Sequence, residues 1–284
     1  MNPIYKDISH INLGTIAQIA LSAGNEILTI YNQNNFNVEL KSDRSPLTLA
    51  DKQSHCKIIT QLQKHYKNIP ILSEEGANIP YSERKGWDMF WLIDPLDGTK
   101  EFIKRNGEFT VNIALIQNQV PVLGVIYAPV LDTLYAAKVG LGSFKIEKCR
   151  QLQLNNDKDI MERGVILPQV NNEDIIKVVA SRSHMSSETE NFIEVLKKKH
   201  PRVEMKSSGS SLKLCLVAEG VCDYYPRFAP TMEWDTAAGH AVVEQAGGKI
   251  YTVDTREQLT YNKECLLNPW FTAKNGNKKL GTSI

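Results

Sequence analysis

Asp94 and Asp97 are the residues whose types and spacing most clearly speak of chemistry. They lie in Trp91-Leu92-Ile93-Asp94-Pro95-Leu96-Asp97-Gly98-Thr99, where an apolar run ends in one acid and a second acid follows three residues later. The residue before a proline is held extended. Asp94 therefore ends a strand, the chain turns at Pro95, and Asp97 can swing back beside it. Two carboxylates about 4 Å apart repel by roughly 4 kcal/mol at an effective dielectric of 20. Such a pair needs a cation or a shared proton. Oxygen ligands with no adjacent His or Cys suit magnesium, which takes one or two carboxylates, phosphate oxygens and waters. Gly98-Thr99 opens a short helix over residues 99–103, whose first N–H groups would face an anion beside the metal. The Thr99 hydroxyl could orient a water, or simply cap that helix.

Three further stretches could join this pair. Ser73-Glu74-Glu75 follows a short apolar strand, and two acids there can be metal ligands or a solvated turn. Asp235, in Glu233-Trp234-Asp235-Thr236-Ala237-Ala238-Gly239, starts a helix of small residues. It can cap that helix or ligate a cation. Gly209-Ser210-Ser211 also precedes a helix and can hold a phosphate or act as a cap. Asp51, in the first turn of another helix, suits the helix dipole on its own account.

These residues need elements to position them. Apolar residues at Ile16, Ile19, Ala23, Ile27 and Ile30 predict a helix over residues 16–31. Residues 38–48 read as a strand, a turn and a short extension, and residues 50–66 as a second helix. Residues 69–72 and 89–93 are strands that deliver Glu74 and Asp94. Residues 110–116, 122–127, 133–137 and 142–146 are short strands with tight connections, which argues for an antiparallel meander. Residues 150–175 are polar and irregular and mark a boundary between halves, 1–150 and 151–284. Beyond it strands at 177–182, 202–206, 222–225 and 249–253 alternate with helices at 187–198, 210–219 and 235–245. That rhythm predicts a sheet with helices on its faces.

The 284 residues carry 33 basic and 32 acidic side chains, a balance that argues against a nucleic-acid polymer as partner. The five cysteines form no C-x-x-C pair, so a disulfide framework or zinc site is not expected and a reducing cytoplasm fits better. Residues 1–5 lack a basic flank followed by an apolar core, and no apolar run approaches the ~20 residues that span a bilayer. A peripheral contact with the inner membrane needs no visible segment and stays open. The chain is expected as a monomer or a homodimer. The six histidines are scattered, and no Ser–His or Cys–His arrangement suggests a covalent route.

The order Ser73-Glu74-Glu75, then Asp94-Pro95-Leu96-Asp97-Gly98-Thr99, then Trp234-Asp235-Thr236-Ala237-Ala238-Gly239 resembles the lithium-sensitive, magnesium-dependent phosphatases of the inositol monophosphatase superfamily. Residues 100–112, with Gly209-Ser210-Ser211-Leu212-Lys213 and Tyr225-Pro226-Arg227-Phe228, are similar to its CysQ-type 3′(2′),5′-bisphosphate nucleotidase branch. The resemblance implies an α/β fold layered αβαβα, in two halves with the site between them. It implies that Glu74, Asp94, Asp97, Asp235 and the carbonyl of Leu96 ligate two or three Mg²⁺ ions. Asp51 and Thr99 would orient the attacking water, with Asp51 and Glu74 serving catalysis. Gly98, Thr99 and Lys100 would hold the scissile phosphate, and Gly209, Ser210, Ser211, Lys213, Arg227 and Asp235 would border the nucleotide. The implied reaction takes adenosine 3′,5′-bisphosphate to AMP and phosphate, and the sulfated form likewise, in sulfate assimilation. An inositol or sugar monophosphatase is the nearest rival. The basic Lys104-Arg105-Asn106 loop suits a second phosphate better than a neutral polyol. A non-catalytic nucleotide sensor is the rival of a different class.

Overall fold

The computed structural model describes residues 7–33, 39–40, 46–76, 79–169, 175–181 and 186–276. Helix α1 (Leu13–Tyr31) is capped by the Asn12 side chain, which accepts from Thr15 N. Strands β1 (Glu39–Leu40) and β2 (Pro46–Leu47) pair antiparallel. The turn expected between them lies outside the described residues. Helix α2 (Leu49–Tyr66) starts in a capping box between Thr48 and Asp51.

A seven-stranded sheet follows. Its strands are β3 (Ile71–Ser73), β4 (Met89–Asp97), β5 (Thr110–Gln117), β6 (Val120–Ala128), β7 (Thr133–Lys138), β8 (Gly142–Glu147) and β9 (Val165–Ile166), in that spatial order. β3 runs parallel to β4, and every other pair is antiparallel. The expected meander is therefore present. A short helix, α3 (Tyr81–Arg84), precedes β4, and α4 (Thr99–Ile103) links it to β5.

The second sheet contains β10 (Ile176–Ser181), β11 (Val203–Ser208), β12 (Tyr224–Arg227), β13 (Lys249–Thr252) and β14 (Phe271–Lys274), in the order β11-β10-β12-β14-β13. Helices α6 (Ser187–Lys199), α7 (Leu212–Ala218) and α8 (Glu233–Gln245) alternate with these strands, as the sequence rhythm predicts. Residue 182, read as the end of β10, lies outside the described residues.

Residues 150–175 are less irregular than expected. They hold helix α5 (Asp157–Arg163) and strand β9, which pairs with β8. The helix has its own capping box, with the Asn156 and Asp159 side chains satisfying each other's backbone N–H groups.

Layering follows from strand alternation. On β4, Trp91 and Ile93 face a core with α1 and α2, while Phe90 and Leu92 face a second core with α7 and α8. On β5 the same division separates Ile113 and Leu115 from Ala114 and Ile116. A third cluster packs Ile193 and Leu196 of α6 against Ile176, Val178 and Tyr224 of the second sheet. The order of layers is αβαβα. Helix α8 sits close to the first sheet because its facing residues are small. A Cβ on Gly124 of β6 would lie 2.3 Å from the Ala238 carbonyl oxygen.

Candidate active site

Asp94 and Asp97 belong to one strand. In a regular strand, residues three apart face opposite sides of the sheet. Here Asp94 pairs with Asn112 and Asp97 with Thr110, so three steps on β4 match two on β5. This bulge returns Asp97 to the side that Asp94 faces. The expected sharp turn at Pro95 is thus a bulge within β4. β3 pairs only as far as Ile93, so no partner from that side needs the N–H that Pro95 lacks.

Asp94, Asp97 and Asp235 bring one carboxylate oxygen each to within 4.8 Å of one another. Asp97 and Asp235 are part-exposed, whereas Asp94 is buried. Glu74 stands beside this trio in the 3-10 turn Glu74–Gly76 at the end of β3. Burial first, then the charges of Glu74, Asp97 and Asp235, holds the Asp94 carboxyl well above the usual carboxylate range. Asp235 is raised by burial and by Asp97, against the Met232 N–H that favours its charged form. Three acids converge on one point, with Glu74 beside Asp94, and that charge calls for a cation. The donor set is all oxygen, which fits a hard divalent metal.

Backbone and hydroxyl donors hold several of these acids in place. Leu96 N donates to Asp94 Oδ1 at 3.1 Å, and Met232 N donates to Asp235 Oδ2 at 2.9 Å. The second bond is the helix cap anticipated for Asp235, so capping and a ligand role are compatible. Asp51 Oδ2 accepts from Thr48 N (2.7 Å) and Thr48 Oγ1 (2.5 Å), while Thr99 Oγ1 lies 3.3 Å from Asp51 Oδ1. Thr99 Oγ1 is also 3.4 Å from the Leu96 carbonyl. Ser54, one turn along α2 from Asp51, donates to the Pro95 carbonyl at 2.7 Å and ties the helix to the bulge. Gly98, at φ +91°, takes a conformation glycine adopts without strain and begins α4. That helix has five residues, so its contribution is N–H groups rather than a large dipole.

A cleft opens beside the acids. Lys100, Lys104, Lys213 and Arg227 line it, together with Gly98, residues 209–211, Tyr225 and Asp235. Lys213 is 6% exposed, and burial first lowers its pKa to about 8 against the pull of Asp97. Its Nζ donates to the Ser210 carbonyl at 2.5 Å and lies 5.6 Å from the Tyr225 ring centre. Arg227 Nη2 donates to the Pro230 carbonyl, and its buried Nε has no partner among the described residues. An orphaned guanidinium N–H next to a cleft awaits an acceptor. The basic loop divides: Lys104 lines the cleft, but Arg105 turns away, its guanidinium bonded to the Gln33 carbonyl and over the Tyr31 ring.

Four supporting residues carry no role in the sequence alone: Thr48, Ser54, Thr110 and Asn112. The last two were signalled by polarity at alternate positions of an otherwise apolar strand. Glu233, assigned no role, is fully buried and accepts from Asn262 N (2.6 Å), Lys263 N (2.9 Å) and Lys263 Nζ (2.6 Å). It anchors the first turn of α8 and so the base of Asp235. His240 is buried with Nδ1 at 2.9 Å from the Tyr261 hydroxyl.

The sequence matches the profile of the inositol monophosphatase family over residues 12–283. The chain belongs to the inositol monophosphatase family. Within that family it is similar to the 3′(2′),5′-bisphosphate nucleotidase CysQ of Escherichia coli K12, at 42% identity over 260 residues, 91% of this chain and 98% of that protein. The CysQ of Buchnera aphidicola is 43% identical over 241 residues, 84% of each chain. Among solved structures, CysQ from Bacteroides thetaiotaomicron is 50% identical with a TM-score of 0.85, covering 94% of this chain and 97% of that one. The inositol monophosphatase of Anabaena shares the fold at 26% identity and a TM-score of 0.67, covering 93% and 90%. The mixed α/β architecture is thus that of the family. No described helix is long and apolar enough to cross a membrane.

Proposed function

We propose that this protein is a magnesium-dependent 3′(2′),5′-bisphosphate nucleotidase that takes adenosine 3′,5′-bisphosphate to AMP and phosphate, and acts likewise on its sulfated form. The observation that carries this is the adjacency of two charge fields. Four acids gather on one side, and Lys100, Lys104, Lys213 and Arg227 line the cleft next to them. The acids suit cations, while the basic cleft suits an anion in addition to the scissile phosphate. Relatives at 42–43% identity carry the nucleotidase name, which supports the same choice.

Glu74, Asp94, Asp97, Asp235 and the Leu96 carbonyl would hold two or three Mg²⁺ ions. When bound, the ions supply positive charge to the phosphoryl oxygens and acidify the attacking water. Asp51 and Thr99, whose Oδ1 and Oγ1 lie 3.3 Å apart, would hold and orient that water. Gly98, Thr99 and Lys100 offer N–H and ammonium donors to the scissile phosphate. Lys213 and Arg227 would face the second phosphate, and Ser210, Ser211 and Gly209, which line the same cleft, would border it. An inositol or sugar monophosphatase would leave the buried Arg227 Nε without an anion to meet. The expected setting is the cytoplasm, in clearing this nucleotide during sulfate assimilation. Phosphate release from adenosine 3′,5′-bisphosphate with magnesium, abolished by EDTA, is the expected result. Binding of the nucleotide without release would favour a sensor.

A further inference from the structure

Asp97 is held by residues from both halves of the molecule. Its Oδ2 accepts from Ser210 Oγ at 2.6 Å and Ser211 Oγ at 2.8 Å, across 113 and 114 residues of sequence. Ser211 Oγ also lies 2.9 Å from the Asp235 carbonyl and receives Asn112 Nδ2 at 2.8 Å. Thr110 Oγ1 is 2.7 Å from Ser210 Oγ and 3.0 Å from Asn112 Oδ1, so its single proton serves one of them at a time. Thr110, Asn112 and Ser211 are 0%, 1% and 4% exposed. Asp97 and Ser210 are part-exposed at the cleft, so the three buried residues behind them form the rigid side of the network, where hydrogen bonds are strongest. The two serine hydroxyls on Oδ2 make the side-chain hydrogen bonds to the Asp97 carboxylate among the described residues, so they set its orientation beside Asp94 and Asp235.

We propose that Ser210, Ser211 and Asn112 are positioning residues for the metal, acting through Asp97. The two serines have the place of phosphate ligands, but their hydroxyls are engaged by a carboxylate. The chain around them explains why the loop stays docked. Gly209 N donates to Glu108 Oε2 at 2.8 Å, and a Cβ at Gly209 would lie 3.0 Å from the Glu108 carbonyl oxygen. Because residues 209–211 also line the cleft, the segment that borders the substrate sets the orientation of a metal ligand. Outer-shell partners of this type are worth about 10–100-fold in metal affinity.

The proposal rests on reading the acids as a metal site, and manganese binding without substrate separates the two. Free Mn²⁺ is measured by electron paramagnetic resonance for the wild type, Ser211→Ala, Ser210→Ala, Asn112→Ala and the hydroxyl-preserving Ser211→Thr. Thermal melts of the metal-free proteins check folding. Affinity for inorganic phosphate is measured at saturating Mn²⁺. The expected result is Mn²⁺ affinity about 10–100-fold weaker in each alanine variant, restored by Ser211→Thr. Unchanged Mn²⁺ affinity with weakened phosphate binding would overturn the proposal and make the serines direct phosphate ligands. A wild type that binds no Mn²⁺ would instead remove the metal reading, and this proposal with it.

Discussion

Asp94 and Asp97 face the same side of β4 although three residues separate them, because a bulge matches three steps on β4 to two on β5. The pair therefore lies on one face of the sheet, and with Asp235 on α8 it brings three carboxylate oxygens to within 4.8 Å of one another, the cluster proposed to hold the cations. Removing the Asp94 charge with Asp94→Asn should abolish nearly all turnover while leaving the circular dichroism spectrum unchanged. Substantial residual activity would show that Asp94 is not a ligand.

The same carboxyl makes the metal-free protein sensitive to pH. Its folded pKa is raised above the ordinary 3.8, so its contribution to stability is full below 3.8 and is lost as pH rises through the raised value. At pH 7 without metal the ionised form is a penalty. Metal-free Asp94→Asn should therefore melt above metal-free wild type at pH 7, and the gap should close as pH falls towards 4. Differential scanning calorimetry in EDTA reads this directly, and a gap that widens on acidification would contradict it.

Lys213 should govern affinity rather than the chemical step. Hydrogen bonds to charged groups are worth about 1.5–3 kcal/mol, so Lys213→Met should raise KM for a nucleoside bisphosphate roughly 10–100-fold. The kcat should change much less. Burial first lowers this lysine to about 8, so its charge is present below that pH and lost above it. In wild type KM should climb above pH 8, and Lys213→Arg should flatten that rise. A steady-state pH series checks both.

Glu233 should matter for folding, not for charge at the reaction centre. Breaking one side of a buried ion pair costs about 3–5 kcal/mol. Glu233→Ala strands the Asn262 and Lys263 backbone N–H groups and removes the buried partner of the Lys263 ammonium, and should lower stability towards that amount in urea titrations. A loss below about 1 kcal/mol would show that the anchor is dispensable.

Gly124 tests how closely α8 must lie against β6. A methyl group there would meet the Ala238 carbonyl oxygen at 2.3 Å and Ala241 Cβ at 2.8 Å. Overpacking of this kind costs about 1–3 kcal/mol. Because Asp235 rides on α8, Gly124→Ala should also weaken metal binding. An unaltered manganese affinity in a destabilised variant would separate the two effects.

Much of this site was legible because its residues are local signals. A proline between two acids after an apolar strand, and acids at helix starts, can be read one segment at a time. The bulge could not be read, since it exists only in the register of β4 against β5. For the same reason Thr110 and Asn112 passed as strand residues, although their alternation on β5 pointed to a polar face. Ser210 and Ser211 were recognised as unusual, but whether their hydroxyls met a phosphate or Asp97 depended on the other half of the chain. Arg105 was grouped with Lys104 by sequence proximity, yet one turn of backbone sends their side chains in different directions. Helix α5 lay in a stretch read as irregular, although Asn156 and Asp159 carried its capping box.

The central claim is best tested by product analysis on one preparation offered adenosine 3′,5′-bisphosphate and inositol 1-phosphate separately, with magnesium. The expected result is AMP and phosphate from the nucleotide, with kcat/KM far above that for the inositol phosphate and activity lost in EDTA. Equal or greater turnover of inositol 1-phosphate would contradict the bisphosphate assignment.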